Sequence, residues 1–235
     1  MHLHFVIHEH FEAPGAFERW AIRSQHQVSY SLLYQGDSLP NNDKGADMLV
    51  VMGGPQSPAT TLEQCSHFDS IAEQRLIRQF IEANKLVIGV CLGAQLIGEA
   101  LGAPYQTSPE REIGKFPIYL TEAAKIHPLF EHFGGMLEVG HWHSDMPGLT
   151  SEARVLAHSA GCPRQIVQYQ DKVFGFQCHM EFNTKLIDQL IAHEDFREAA
   201  RSPYVQKPDE LLKHDYEQMN EVLYGFLDKL TKAYE

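Results

Sequence analysis

Cys91 ends the apolar run Leu86-Val87-Ile88-Gly89-Val90 and is followed by Leu92-Gly93-Ala94-Gln95. Leu92, Leu96 and Ala100 then recur at helical spacing. A strand that turns sharply into a helix at a nucleophile needs small residues on both sides of it. In the G-x-S-x-G elbow the backbone is strained, and a side chain at either flank would meet the corner. Gly89 and Gly93 flank Cys91 in that way. Such a corner lifts the thiol out of the sheet to a helix N-terminus, where the dipole and free N–H groups favour thiolate over thiol. A structural cysteine on a hydrophobic strand is the alternative, weakened but not excluded by the paired glycines.

A thiol nucleophile needs a base, and the base works best when a third group orients it. Val173-Phe174-Gly175-Phe176-Gln177-Cys178-His179-Met180-Glu181 supplies both. In extended backbone, residues i and i+2 project to one side, so Glu181 is placed to hold the His179 imidazole. A His-x-Glu by itself is commonplace. Beside a glycine-flanked cysteine it completes a Cys-His-Glu set suited to thioester chemistry.

These residues need a sheet to carry them. Strands are expected over 3–7, 28–33, 47–52 and 86–90. Helices are expected near 14–24, with Phe17, Trp20 and Ala21 on one side, and near 67–83, with Phe68, Ala72, Leu76 and Phe80 at four-residue intervals. This alternation predicts a parallel sheet with helices on both faces. Over 113–177 the pattern predicts several short strands with antiparallel pairs. After Asn183 it predicts helices over 184–193 and 209–232, broken at Ser202-Pro203 and Lys207-Pro208. The expected organisation is one domain over 1–195, with a helical extension over 196–235 packed on it.

Gly53-Gly54-Pro55, Gly89–Gln95 as written above and Phe176-Gln177-Cys178-His179-Met180-Glu181 resemble, in order and spacing, the three signatures of the class I glutamine amidotransferases. Glu112-Ile113-Gly114 with Phe116-Pro117-Ile118, His141-Trp142-His143-Ser144-Asp145, and Cys162-Pro163-Arg164-Gln165 look like the branch related to the amidotransferase domain of GMP synthase. The resemblance runs over residues 3–183. It implies an α/β fold, a flavodoxin-like three-layer sandwich with a mostly parallel central sheet. It also implies Cys91 as nucleophile, His179 as base and Glu181 as its orienting partner. The backbone N–H groups of Leu92 and Gly54 would form the oxyanion hole, although Gly-Gly-Pro also encodes a simple turn. Gly53, Gln95, Trp142, His143, Ser144 and Asp145 would line the grip on the amino-acid end of glutamine, largely through backbone.

Three departures stand out. Relatives write Phe-His-Pro-Glu where this chain has Cys178 and Met180 around His179, and both changes keep the spacing and stay apolar. Arg164 stands where relatives often carry Asn. No synthetase domain is expected in the roughly 50 residues after the triad, which are too few for one.

Other clusters have plainer readings. His141, His143 and Asp145 alternate along an expected strand and could be a solvated face or a metal-like cluster. No clean fourth ligand is visible, so no metal is assigned. His2, His4, His8 and His10 share a parity and read as satisfied or solvated histidines. Cys178 should point away from the His179 side as a core thiol, and Cys65 and Cys162 lack an identifiable base.

The 235 residues are 43% hydrophobic and 21% charged, a globular composition. A formal net charge of −12 argues against nucleic acid, which needs a basic surface. No apolar stretch nears the ~20 residues of a membrane span, and the start lacks a secretory pattern. Four cysteines without framework spacing suit a reducing cytoplasm. No cofactor is called for. The expected partners are glutamine or a γ-glutamyl compound and an ammonia-accepting synthetase subunit, with oligomerisation left open. Three functions remain: a glutamine amidotransferase or glutaminase releasing ammonia and glutamate through a cysteine thioester, a γ-glutamyl peptidase or hydrolase, and a non-catalytic binding or regulatory module on the same scaffold.

Overall fold

The computed structural model describes residues 1–43, 45–199 and 202–234. Among them, nine strands form one sheet in the order β2-β1-β3-β4-β9-β8-β7-β5-β6. They are β1 His2–Ile7, β2 Gln27–Leu32, β3 Met48–Val51, β4 Leu86–Val90, β5 Gln106–Leu120, β6 Met136–Met146, β7 Arg154–His158, β8 Ile166–Gln170 and β9 Val173–Phe176. The helices are α1 Ala16–Arg23, α2 Ser70–Glu82, α3 Leu92–Ala100, α4 Glu122–Lys125, α5 Thr184–His193, α6 Phe196–Ala199, α7 Pro208–Leu211 and α8 Glu217–Tyr234.

The half β2-β1-β3-β4-β9 is parallel throughout. Its order is that of flavodoxin-like doubly wound sheets, whose sites lie beyond the carboxyl ends of the strands. Every residue of β3, β4 and β9 is buried, as continuous apolar runs in a sheet covered on both faces must be. Alternate residues serve two cores. Phe5, Met48, Val50 and Ile88 pack with Phe17 and Trp20 of α1 and Phe226 of α8. Val6, Leu49, Val51 and Val87 pack with Leu76 and Phe80 of α2 and Leu96 of α3.

From β9 to β6 the pairing is antiparallel. The expectation of short strands fails at β5 and β6, which run for 15 and 11 residues. They pair with each other from Glu112 to Tyr119 and again at Gln106 and Thr107, across a register shift. Cross-strand pairing overrides the weak strand propensity of Gly114 and Pro117. Pro117 is tolerated because β5 meets β7 only at Tyr119 and Leu120, leaving its other side largely open. Part of that side is covered from the C-terminal segment: the Ile113 N–H donates to the Tyr204 carbonyl and the Gln206 N–H to the Ile113 carbonyl.

The helix expected over 209–232 is two, α7 and α8. The Asp215 carboxylate accepts the Glu217 N–H at 2.8 Å and starts α8 afresh. Leu223, Phe226, Leu227 and Leu230 of α8 sit in the main core. Asn220 donates to the Met180 and Phe182 carbonyls at 2.7 and 3.1 Å, so α8 holds the segment that carries His179 and Glu181. No helix among the described residues is long and apolar enough to cross a membrane.

Candidate active site

β4 ends at Val90, and the chain turns at Cys91 into α3 with φ +50° and ψ −106°. That backbone is unfavourable for a residue with a side chain. The surrounding contacts hold it there. The Cys91 N–H donates to the Phe176 carbonyl at 2.7 Å, tying the turn to the end of β9. A Cβ at Gly89 would stand 2.3 Å from the Gly93 backbone, and one at Gly93 would stand 2.0 Å from the Val51 carbonyl oxygen. Both flanking positions therefore exclude any side chain, as an elbow requires.

His179 lies past the end of β9, which stops at Phe176, so the strand itself does not deliver it. An isolated bridge to β6 holds it instead: the His179 N–H donates to the Gly140 carbonyl at 2.8 Å and the Gly140 N–H donates back at 3.0 Å. Its ring stacks on Phe182, with centroids 4.2 Å apart. Nδ1 lies 2.6 Å from Glu181 Oε1, which leaves Nε2 as the ring nitrogen not held by the carboxylate. Burial alone would lower the imidazole pKa. The Glu181 carboxylate and the neighbouring Cys91 thiol outweigh it and hold the pKa well above its ordinary 6.5. The Cys91 thiol donates to the Trp142 carbonyl at 3.6 Å. The three groups form one buried constellation.

Cys91 lies on the wall of a cavity of about 350 Å³, shared with Glu12, Gly54, Leu92, Gln95 and Trp142. His143, Ser144 and Asp145 of β6 reach the same cavity. Gly54 and Leu92 are neighbours, since a Cβ on Gly54 would lie 3.1 Å from Leu92 Cδ2. Gly53 stands behind them with its carbonyl accepting from His8 Nδ1 at 2.8 Å. Gln95 donates to Gln177 at 3.1 Å. The His143 ring does not face the cavity freely, because its Nε2 lies 3.2 Å from both Glu112 Oε2 and Gln165 Nε2. A larger cleft of about 580 Å³ beside α2, lined by Leu39, Arg75 and Gln79, contains no cysteine.

Several participants escape sequence reasoning. His8 is bonded to Glu73 at 2.8 Å as well as to Gly53, which pins the Gly53-Gly54 turn from below. Glu194, at the end of α5, accepts from Arg111 at 2.8 Å and from the Trp142 indole at 3.1 Å, closing the rim. Cys65, read as lacking a base, has His67 Nε2 at 3.4 Å, a residue two positions on in a turn whose side-chain directions sequence does not reveal. Cys178 meets its expectation: it is wholly buried, 3.7 Å from the Gln165 carbonyl, and burial pushes its thiol pKa well up.

Glu12 is the least expected neighbour. Its carboxylate lies 2.6 Å from where a Gly53 Cβ would be, on the Cys91 side of that turn. Burial raises its pKa from 4.5 to about 7, with the charges of Glu181 and Glu9 adding to the rise and those of His179 and His8 opposing it. The folded protein thus holds this proton more tightly than the unfolded chain. The resulting stability is complete below pH ~4.5 and lost as pH rises through ~7, on the order of 3 kcal/mol in all. Glu12→Gln is expected to raise the thermal unfolding midpoint above that of wild type at pH 8 and to change it little at pH 5. A difference independent of pH would contradict a buried, proton-holding Glu12.

A doubly wound sheet with a cysteine elbow at the end of a central strand and a buried His-Glu pair beside it defines an amidotransferase-like class of α/β protein. The family profile described as glutamine amidotransferase class-I matches residues 20–199. The chain belongs to the class I glutamine amidotransferase family. Over its whole length it is 55% identical to the glutamine amidotransferase-like protein YfeJ of Salmonella typhimurium, covering 99% of that protein. It is 30% identical to anthranilate synthase component 2 of Helicobacter pylori over 63% of this chain and 74% of that one. The solved structure of SMU.1228c superposes with a TM-score of 0.97 at 48% identity, covering 98% of this chain and all of that one.

Proposed function

We propose that this protein hydrolyses the side-chain amide of glutamine through a thioester on Cys91. The observation that carries the reading is the buried arrangement of Cys91 with the His179–Glu181 pair at the cavity wall. His179 Nε2 takes the thiol proton as sulfur attacks the carboxamide carbon. The oxyanion of the tetrahedral intermediate accepts from the N–H groups of Leu92 and Gly54, and loss of one such donor costs about 3–4 kcal/mol of barrier. The C–N bond breaks as His179 returns its proton to the departing ammonia, leaving a γ-glutamyl thioester. Water then adds to the thioester, giving a proton to His179, and collapse frees glutamate and the thiol. Glu181 steadies the imidazolium throughout. Gln95 and the backbone of Trp142, Ser144 and Asp145 grip the amino-acid end. The liberated ammonia passes to a synthetase subunit, a reading supported by the relative named as a second component of anthranilate synthase.

A γ-glutamyl peptidase is the second reading. The cavity extends past Cys91 to Phe11, Leu190 and His193, which leaves room for a substituent beyond the carboxamide. Glutamine, glutathione and a γ-glutamyl anilide, each incubated with the purified full chain, separate the two. Ammonia from glutamine, dependent on Cys91, is the expected result. Amine release from the larger donors without ammonia from glutamine would replace the first reading with the second.

A further inference from the structure

Behind the cavity wall formed by β6 lies a buried cluster that thioester chemistry does not use. Glu112 on β5 and His141 and His143 on β6 are each less than a tenth exposed. One ligand atom from each lies within 4.8 Å of the others. Glu112 Oε2 is 3.2 Å from His143 Nε2 and 3.6 Å from His141 Nδ1. Donor atoms around a tetrahedral ion bound at ~2.0–2.1 Å stand about 3.3 Å apart, close to the two distances that Glu112 makes to the histidines.

With the Gln165 amide oriented as it stands, its NH2 toward His143 and Glu112, the hydrogen bonds cannot all be satisfied by protons. His141 Nε2 faces the Phe116 carbonyl at 3.2 Å and must donate to it, so a neutral His141 turns a bare Nδ1 toward the Glu112 carboxylate. His143 Nε2 faces the same carboxylate and also Gln165 Nε2, each at 3.2 Å. Protonated, it opposes the amide donor, and unprotonated it opposes the carboxylate. His141 Nδ1, His143 Nδ1, Glu112 Oε1 and Gln165 Oε1 are all buried without a partner. The N-terminal histidines contrast with this: His2 and His4 bond Ser29 at 2.8 and 2.9 Å, and His8 bonds Glu73 and Gly53, both at 2.8 Å.

A cation between His141 Nδ1, His143 Nε2 and Glu112 Oε2 removes the conflict among those three atoms. We propose that Glu112, His141 and His143 bind a divalent zinc-type cation, with the Gln165 side-chain oxygen as fourth ligand. Gln165 Nε2 is now 2.6 Å from Glu112 Oε2, and turning the amide over brings its unpartnered oxygen to that place. Two imidazoles and two oxygens suit zinc, and their complete burial marks a closed structural site rather than a catalytic one. Supporting contacts are present: Ser159 donates to Glu112 Oε2 at 2.9 Å, and the Phe116 carbonyl fixes the His141 tautomer. The ion would clamp β5 to β6 beneath the stretch that lines the cavity at Trp142–Asp145 and anchors His179 at Gly140. The sequence shows no fourth ligand beside the histidines because neither Glu112 nor Gln165 is near them in the chain.

The test uses the purified full-length protein, zinc and cobalt. Elemental analysis after dialysis is expected to find about one zinc per chain. Chelator stripping should lower the thermal midpoint, and added zinc should restore it. Cobalt should give the visible absorption of a four-coordinate site. Glu112→Gln and His141→Gln should each weaken zinc binding at least tenfold in a competitive chelator titration, and His2→Gln should not. Glu112→Gln keeps the side-chain shape, so circular dichroism can verify its fold. Wild-type protein that holds no zinc at micromolar metal would overturn the site. So would zinc that binds folded Glu112→Gln as tightly as wild type, or that is lost with His2.

Discussion

Cys91→Ala is expected to abolish covalent capture of a glutamine-analogue electrophile, while Cys178→Ala leaves capture at the wild-type rate. Intact-protein mass spectrometry after timed exposure reads both. Cys91 lines the cavity, has beside it the His179 imidazole whose pKa is held up, and sits in a strained turn. Cys178 has none of these: it is 0% exposed, and burial opposes its thiolate. His179→Ala should slow capture ~10²–10⁴-fold without abolishing it, because the thiol remains and only its proton acceptor is lost. Equal labelling of the Cys91 and Cys178 variants would refute the assignment of the nucleophile.

Gly93→Ala is expected to unfold the protein or to cost more than about 3 kcal/mol. The new methyl would lie 2.0 Å from the Val51 carbonyl oxygen and 2.8 Å from its carbon. Both belong to the backbone of a fully buried strand paired on each side, so neither can rotate away. Relief requires moving α3 from the sheet, and with it the Leu92 N–H and the Cys91 corner. Gly135→Ala is the control, since a Cβ there meets nothing within 4 Å. In urea unfolding, a Gly93→Ala midpoint within error of wild type would mean that α3 does not approach β3 as described. The same variant, if folded, should also lose electrophile capture more than the control does.

Local sequence carries much of this protein. Continuous apolar runs mark β3 and β4 because a strand buried on both faces has no polar side to show. The glycines at 89 and 93 report the elbow, since only a residue without a Cβ fits against the Gly93 and Val51 backbone. Cys91, His179 and Glu181 stand out because their chemistry is rare and their spacing constrained. Identity of the family follows from these signatures together.

Tertiary structure decided the rest, because the deciding contacts join residues far apart in the chain. His179 owes its place to Gly140 on β6, and the loop bearing it is tied to Asn220 of α8. The length of β5 and β6 comes from pairing with each other, which local propensity at Gly114 and Pro117 would not predict. Glu12 looks like an ordinary acid in sequence, and its pKa is raised to about 7 chiefly by the burial that folding imposes. Glu112 and Gln165 meet His141 and His143 through neighbouring strands, so their cluster exists only once the sheet has formed. Periodicity reports which face of an element is buried. It carries no information about which distant polar group will be waiting there.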